Sequence, residues 1–129
     1  MPDTIPSKGV ALALLLAAAF APACGLTGPT CTLIGCPGLV IEVTGAPNQV
    51  PMTIAVTAPD GSTRSSTCTA ATGSCVAFFP DFTPASITIR VSTATQATEV
   101  TRQPAYELTR PNGPECPPEC RNARVPVVF

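Results

Sequence analysis

Between Leu39 and Phe129 apolar and polar residues alternate in short bursts. Met52–Ala58, MTIAVTA, sets Met52, Ile54 and Val56 on one side of an extended chain and Thr53, Ala55 and Thr57 on the other. That period of two is the pattern of a half-buried strand. Ser86–Ser92, SITIRVS, repeats it with Ile87, Ile89 and Val91 facing inward. Asn122–Phe129, NARVPVVF, repeats it with Ala123, Val125, Val127 and Phe129, and Pro126, which cannot donate to a ladder, predicts an edge strand there. Leu39–Thr44 is β-branched and predicts a further strand; Thr63–Cys68 is polar and predicts an edge. Ser74–Phe79 predicts a return strand, with Cys68 and Cys75 facing each other across a hairpin. Thr98–Arg102 and Ala105–Leu108 read as one strand broken at Pro104. Turn signals separate these segments, Pro59-Asp60-Gly61-Ser62 being the clearest, since Pro presets φ and Gly accepts positive φ. The expectation is an all-β chain: a single antiparallel β-sandwich of about seven short strands, preceded by a signal-peptide helix.

That helix is expected from the leader. Val10–Phe20 is wholly apolar but shorter than the roughly 20 residues a spanning helix needs. Lys8 and the amino terminus precede it, and Ala21-Pro22-Ala23 supplies the small residues of a cleavage site. Ala21-Pro22-Ala23-Cys24-Gly25 resembles the lipobox of bacterial lipoproteins, departing from it at Ala21, where the family has Leu, and at Pro22. The resemblance implies that Cys24 is acylated and becomes the mature N-terminus, with two or three acyl chains holding the protein to its membrane. Ordinary cleavage after Ala23, giving a soluble secreted or periplasmic protein, is the alternative. The expected organisation is a signal peptide over 1–23, a lipidated tether and clamped loop over 24–37, and a β-sandwich over 38–129.

An exported chain changes the meaning of its cysteines, which oxidise outside the cytoplasm. There are seven, an odd number; with Cys24 lipidated, six remain for disulfides. They fall into three close pairs, Cys31/Cys36, Cys68/Cys75 and Cys116/Cys120. Sequential pairing is one of about 15 connectivities the count allows. Bridges that local would each contribute roughly 2 kcal/mol through loop closure. A zinc site built on Cys116 and Cys120 with Cys31 or Cys36 is conceivable, but the spacing is loose and export favours disulfides, so no metal or cofactor is expected.

Charge narrows the function. Without its leader the chain carries six arginines against seven carboxylates, a balance that selects no nucleic acid. Histidine is absent and the single lysine lies in the leader, which excludes Ser-His, Cys-His and Ser-Lys nucleophilic arrangements from the mature domain. Glu115 and Glu119, with Asp81, are the carboxylates a small hydrolase would use. Tyr106, Phe78, Phe79 and Phe82 are expected in the core. The most unusual stretch is Pro111–Cys120, PNGPECPPEC. Its stiffness suits a recognition or protease-inhibitor loop, with Pro111, Asn112, Pro114, Glu115, Pro117, Pro118 and Glu119 as candidate binding residues. It suits equally a rigid crossover carrying the last strand to its sheet, and that use is the expected one.

The run TIAVTAPDGSTRSSTCTA is similar to immunoglobulin-like and carboxypeptidase-regulatory-like (transthyretin-type) sandwich modules. The overall layout of lipobox, CxxxxC, DGxTR, DFTP and RPNGPECPPEC before a terminal strand resembles uncharacterised bacterial lipoproteins over nearly the whole mature chain. These resemblances imply a place in the cell envelope and a shared fold, and bring no known activity. With no nucleophilic arrangement among the residues, the expectation is a lipid-anchored outer-membrane protein acting as a structural or binding module rather than an enzyme; the alternatives are a secreted ligand-binding or protease-inhibitor-like domain and a small carboxylate-based hydrolase. Partners would be the membrane, through the lipid, and an envelope protein or polysaccharide. The polar or proline-bearing edges lean towards a monomer.

Overall fold

Each alternating segment becomes a strand. The computed structural model describes residues 30–129; the leader, its predicted helix and Cys24 lie outside the described residues. Eight strands run in order: β1 (Leu39–Thr44), β2 (Pro51–Thr57), β3 (Thr63–Thr69), β4 (Ser74–Phe79), β5 (Ile87–Ser92), β6 (Ala97–Arg102), β7 (Glu107–Thr109) and β8 (Cys120–Val128). They form two four-stranded sheets, ordered β4-β1-β8-β7 and β3-β2-β5-β6. The inward sets read from the sequence are the core: Met52, Ile54, Val56, Ile87, Ile89 and Val91 from one sheet meet Leu39, Ile41, Val43, Phe79, Val125 and Val127 from the other. Burying each such side chain contributes about 1.5–3 kcal/mol, which is what holds the two sheets together as a sandwich.

The structure corrects three expectations. First, β3 and β4 lie in different sheets rather than in one hairpin. The 70–73 link does not close a turn on itself. Gln49 N donates to Ala70 O (2.8 Å) and Ala46 N to Gly73 O (3.1 Å), so it pairs with the neighbouring link as both cross between sheets. The Cys68–Cys75 disulfide therefore joins the edges of the two sheets. Second, the segment around Pro104 is two strands in two sheets, β6 and β7, with residues 103–106 crossing between them. Proline cannot continue the ladder of β6, and Tyr106 fixes the crossing by donating its hydroxyl to Pro84 O at 2.9 Å. Third, β8 is no edge strand. It lies between β1 and β7, antiparallel to β7 and parallel to β1, the one parallel pair among the strands described. Pro126 is tolerated because β7 reaches only residues 120–122 of β8, so the position that lacks an N–H needs no partner on that side.

The aromatics divide as well. Phe79 and Phe82 are buried and Tyr106 is partly buried, but Phe78 points outward from β4 and is exposed. The prediction that β3 is a polar edge agrees with the structure.

Candidate functional site

Because β1 and β8 run parallel, the segments that feed them arrive at the same pole of the sandwich. The register that aligns Leu39 with Ala123, an offset of 84 residues, also aligns Cys36 with Cys120, and those two form a disulfide of sequence separation 84. Cys31 bonds Cys116 just beyond, at separation 85. The Cα atoms stand 5.2 and 5.6 Å apart, within the range a disulfide spans without distortion. All six cysteines predicted to oxidise do so, but two of the three pairs are not sequential. Parallel alignment puts each cysteine of the first segment beside one of the second, whereas sequential pairing would close each short segment on itself. The four cysteines of this cluster are disulfide-bonded, and among the described residues no group of three or more His, Cys, Asp or Glu side chains is placed to hold a metal.

Asn112 locks the two segments together between the bridges. It is the buried polar residue of the described chain, 8% exposed. Its Oδ1 accepts from Thr32 Oγ1 (2.6 Å) and Ile34 N (2.9 Å), while its Nδ2 donates to Ile34 O and Pro117 O, both at 2.9 Å. The carboxamide is thus fully used, as a buried polar group requires. A second brace closes the neck of the loop. Arg110 donates from Nε and Nη2 to Glu119 Oε2 (3.2 and 2.8 Å) and from Nη1 to Pro114 O (2.6 Å).

Of the predicted binding residues, Asn112 is buried against the protein itself, and Glu119 stays exposed but is held by Arg110. Pro111, Pro114, Glu115, Pro117 and Pro118 are exposed along the rim. The loop is also not a crossover: it joins β7 to β8, which are hydrogen-bonded neighbours in one sheet. The prolines stiffen a long hairpin connection. They do not carry the chain between sheets.

The carboxylates do not converge on a deep cleft. Asp81 and Glu119 share an open groove of about 280 Å³ with Cys36, Gly38, Thr83 and Arg121, and Glu115 points to solvent. A larger open depression of about 460 Å³ lies against Val40, Glu107, Asn122 and Arg124. Arginines are dispersed over the surface: Arg124 pairs with Glu42, Arg90 with Glu99 at 3.8 Å, Arg64 lies over the Phe82 ring and Arg121 over the Tyr106 ring. Burial raises the Tyr106 hydroxyl above its usual pKa of 10.0, an effect Arg121 partly offsets. Asp60 titrates below the usual 3.8 because Ser62 donates to it from both its hydroxyl and its backbone N–H.

Sequence reasoning missed two features of this pole. The role of Asn112 has no local signal, since all its bonds but the one to Pro117 O reach Thr32 and Ile34, about 80 residues away. Leu33 and Ile34 are the other. They sit between the two staples, yet Leu33 is 100% exposed and Ile34 53%. An apolar dipeptide between two cysteines was signal enough to ask what it faces. Among the described residues no helix is long and apolar enough to cross a membrane, and three disulfides suit an oxidising compartment. Compared with family models, curated proteins and solved structures, the chain matches none.

Proposed function

We propose that this chain is a lipoprotein of the bacterial cell envelope, held to the outer membrane through acylated Cys24, whose sandwich serves as a non-catalytic structural or binding module. One observation carries the reading. The six later cysteines all pair with one another, so Cys24, directly after the cleavage signal, is the cysteine left over. The pairing also gives the anchor a mechanical sense, because the tether enters a segment covalently stapled to the last strand rather than a loose tail. The finer fold assignment is an immunoglobulin-like or carboxypeptidase-regulatory-like sandwich monomer, supported by two four-stranded, mostly antiparallel sheets. Against a carboxylate hydrolase stands the use of Glu119 as a partner for Arg110. A polysaccharide or an envelope protein is the partner class, and neither nucleic acid nor a cofactor is part of the reading.

The intact mass of membrane-extracted protein tests it. The expected result is the chain from Cys24 plus acyl groups, with six thiols appearing only after reduction. An unacylated chain carrying a seventh, free or intermolecular thiol sinks it. A second reading, a soluble secreted ligand-binding or inhibitor-like domain, draws support from the exposed prolines of a stiffened loop. It predicts that a partner protects residues 111–120 from proteolysis and that an unlipidated chain is found in the soluble fraction.

A further inference from the structure

The pole that carries the double staple exposes the two aliphatic side chains with least reason to be in water. Residues 31–36 are not a flexible tail whose exposure is incidental. Disulfides fix both ends, and Asn112 holds Thr32 and both backbone groups of Ile34 between them. The result is a rigid projection with Leu33 at its tip, fully exposed, and Ile34 beside it. Burial of aliphatic side chains is stabilising, so presenting these two on a fixed support gives up stabilisation that a partner surface can recover.

The chain outside the described residues says which surface. Cys31 follows Cys24 by seven residues, a span of about 25 Å at full extension. From Cys24 to Ile41 there is no charged residue, so nothing in the tether or the projection resists entering a bilayer interface. At the same pole Glu119 is paired with Arg110, Pro114, Pro117 and Pro118 are exposed beside the projection, and Glu115, next to Cys116, is exposed to solvent. The far pole lies at the other end of β8, nine residues long, about 26 Å away along the strand.

We infer that Leu33 and Ile34 form a membrane-contact finger: they insert into the bilayer that bears the Cys24 anchor and stand the sandwich on its stapled pole, directing the opposite pole away from the membrane. The inference rests on the anchored reading above and adds an orientation to it. The tip is uncharged, so contact does not require anionic lipid and is insensitive to salt.

The chain has no tryptophan, which makes a single reporter possible. Leu33→Trp places one at the fully exposed tip, and Val128→Trp places one at the opposite pole, where Val128 is 72% exposed. Each full-length protein is isolated from membranes, its acylation checked by mass, and reconstituted into phosphatidylcholine vesicles with or without bromine on the acyl chains. Expected are a blue-shifted Leu33→Trp emission quenched at least about twofold by the brominated lipid, and a Val128→Trp emission that does not change, the depth of a shallow interfacial insertion. Acylated protein in which Leu33→Trp remains unquenched overturns the finger and leaves the anchor standing. Equal quenching at both positions also overturns it, because the domain then has no preferred pole. A chain without acyl groups overturns the anchored reading, and the finger falls with it.

Discussion

Cys31 and Cys116 are 85 residues apart in the chain and 5.6 Å apart at their Cα atoms. With Cys36 and Cys120 they turn the start and end of the domain into one covalent unit: Cys36–Cys120 keeps the 84-residue offset of the β1–β8 register, and Cys31–Cys116 lies one residue off it. Each bridge taken alone closes a loop of the whole domain, worth about 4–5 kcal/mol in chain entropy. Once one has formed, the other closes only a small ring, worth about 3 kcal/mol.

A non-additive cost follows. Replacing Cys31 and Cys116 together by alanine, or Cys36 and Cys120, is expected to lower stability by about 3 kcal/mol in each case, since the surviving bridge still closes the large loop. Removing all four is expected to cost about 7 kcal/mol, more than the sum, and enough to unfold a domain of ordinary stability. Urea unfolding without reductant measures all three. Additive losses would mean that the two bridges do not share one loop.

Asn112 is the polar rivet between the bridges. Asn112→Ala leaves two backbone groups of Ile34 and the carbonyl of Pro117 without partners, and the expected loss is about 2–3 kcal/mol. Asn112→Asp keeps an acceptor for Thr32 Oγ1 and Ile34 N but sets a carboxylate against the two carbonyls that Nδ2 now serves. It is therefore expected to be at least as damaging at neutral pH and partly rescued on acidification, when the acid protonates and donates again. Thermal unfolding at pH 7 and pH 4 separates the two variants.

Gly38 lies where the stapled segment enters β1, at φ +67°. An added Cβ would sit 2.5 Å from the carbonyl oxygen of Phe79 and 2.9 Å from Cα of Pro80. Both obstacles are backbone, so neither can rotate away. Gly38→Ala combines a left-handed conformation with a clash and is expected to cost about 2–4 kcal/mol, a drop in Tm of some 10–20 °C for a domain of this size. Gly61→Ala, at φ +86° but with open space around it, is expected to cost only the conformational part, roughly 1 kcal/mol.

Tyr106 is the single tyrosine, so its ionisation is visible alone in the ultraviolet. Its folded pKa is raised above 10.0 by burial. The neutral phenol is favoured in the fold, so its contribution to stability is complete below pH 10 and is lost as pH rises through the folded value. Spectrophotometric titration should give a midpoint above that of the urea-unfolded chain. Arg121→Gln removes the cation over the ring and should move the midpoint higher still. A midpoint equal to the unfolded value would contradict the burial and the hydrogen bond to Pro84.

The strands were legible because their signal is local. Ile54 and Val56, or Ile87 and Ile89, announce an inward face within a few residues, and the buried sets match. Sheet membership was not legible, because a short link such as 70–73 can close a hairpin or step between sheets, and the partners that decide, Ala46 and Gln49, lie more than 20 residues away. The same applies to β7, three residues long and given its place by pairing with β8 alone. The cysteines show the limit most sharply. Close spacing in sequence suggested sequential bridges, but cysteine partners follow strand register, and a parallel first-to-last pair leaves no mark within either segment. Asn112 could be identified as a loop residue, but the 80-residue return of its partners could not.

A non-reduced tryptic digest of the membrane-extracted protein joins these claims in one measurement. Trypsin cuts after Arg64, Arg90, Arg102, Arg121 and Arg124, while Arg110 is shielded by Pro111. The expected result is one disulfide-linked species containing acylated residues 24–64 and residues 103–121, with residues 65–90 released as a separate peptide holding its own internal bridge. Residues 24–64 running free, unacylated and bridged only within themselves, would contradict both the anchor and the clamp it is stapled to.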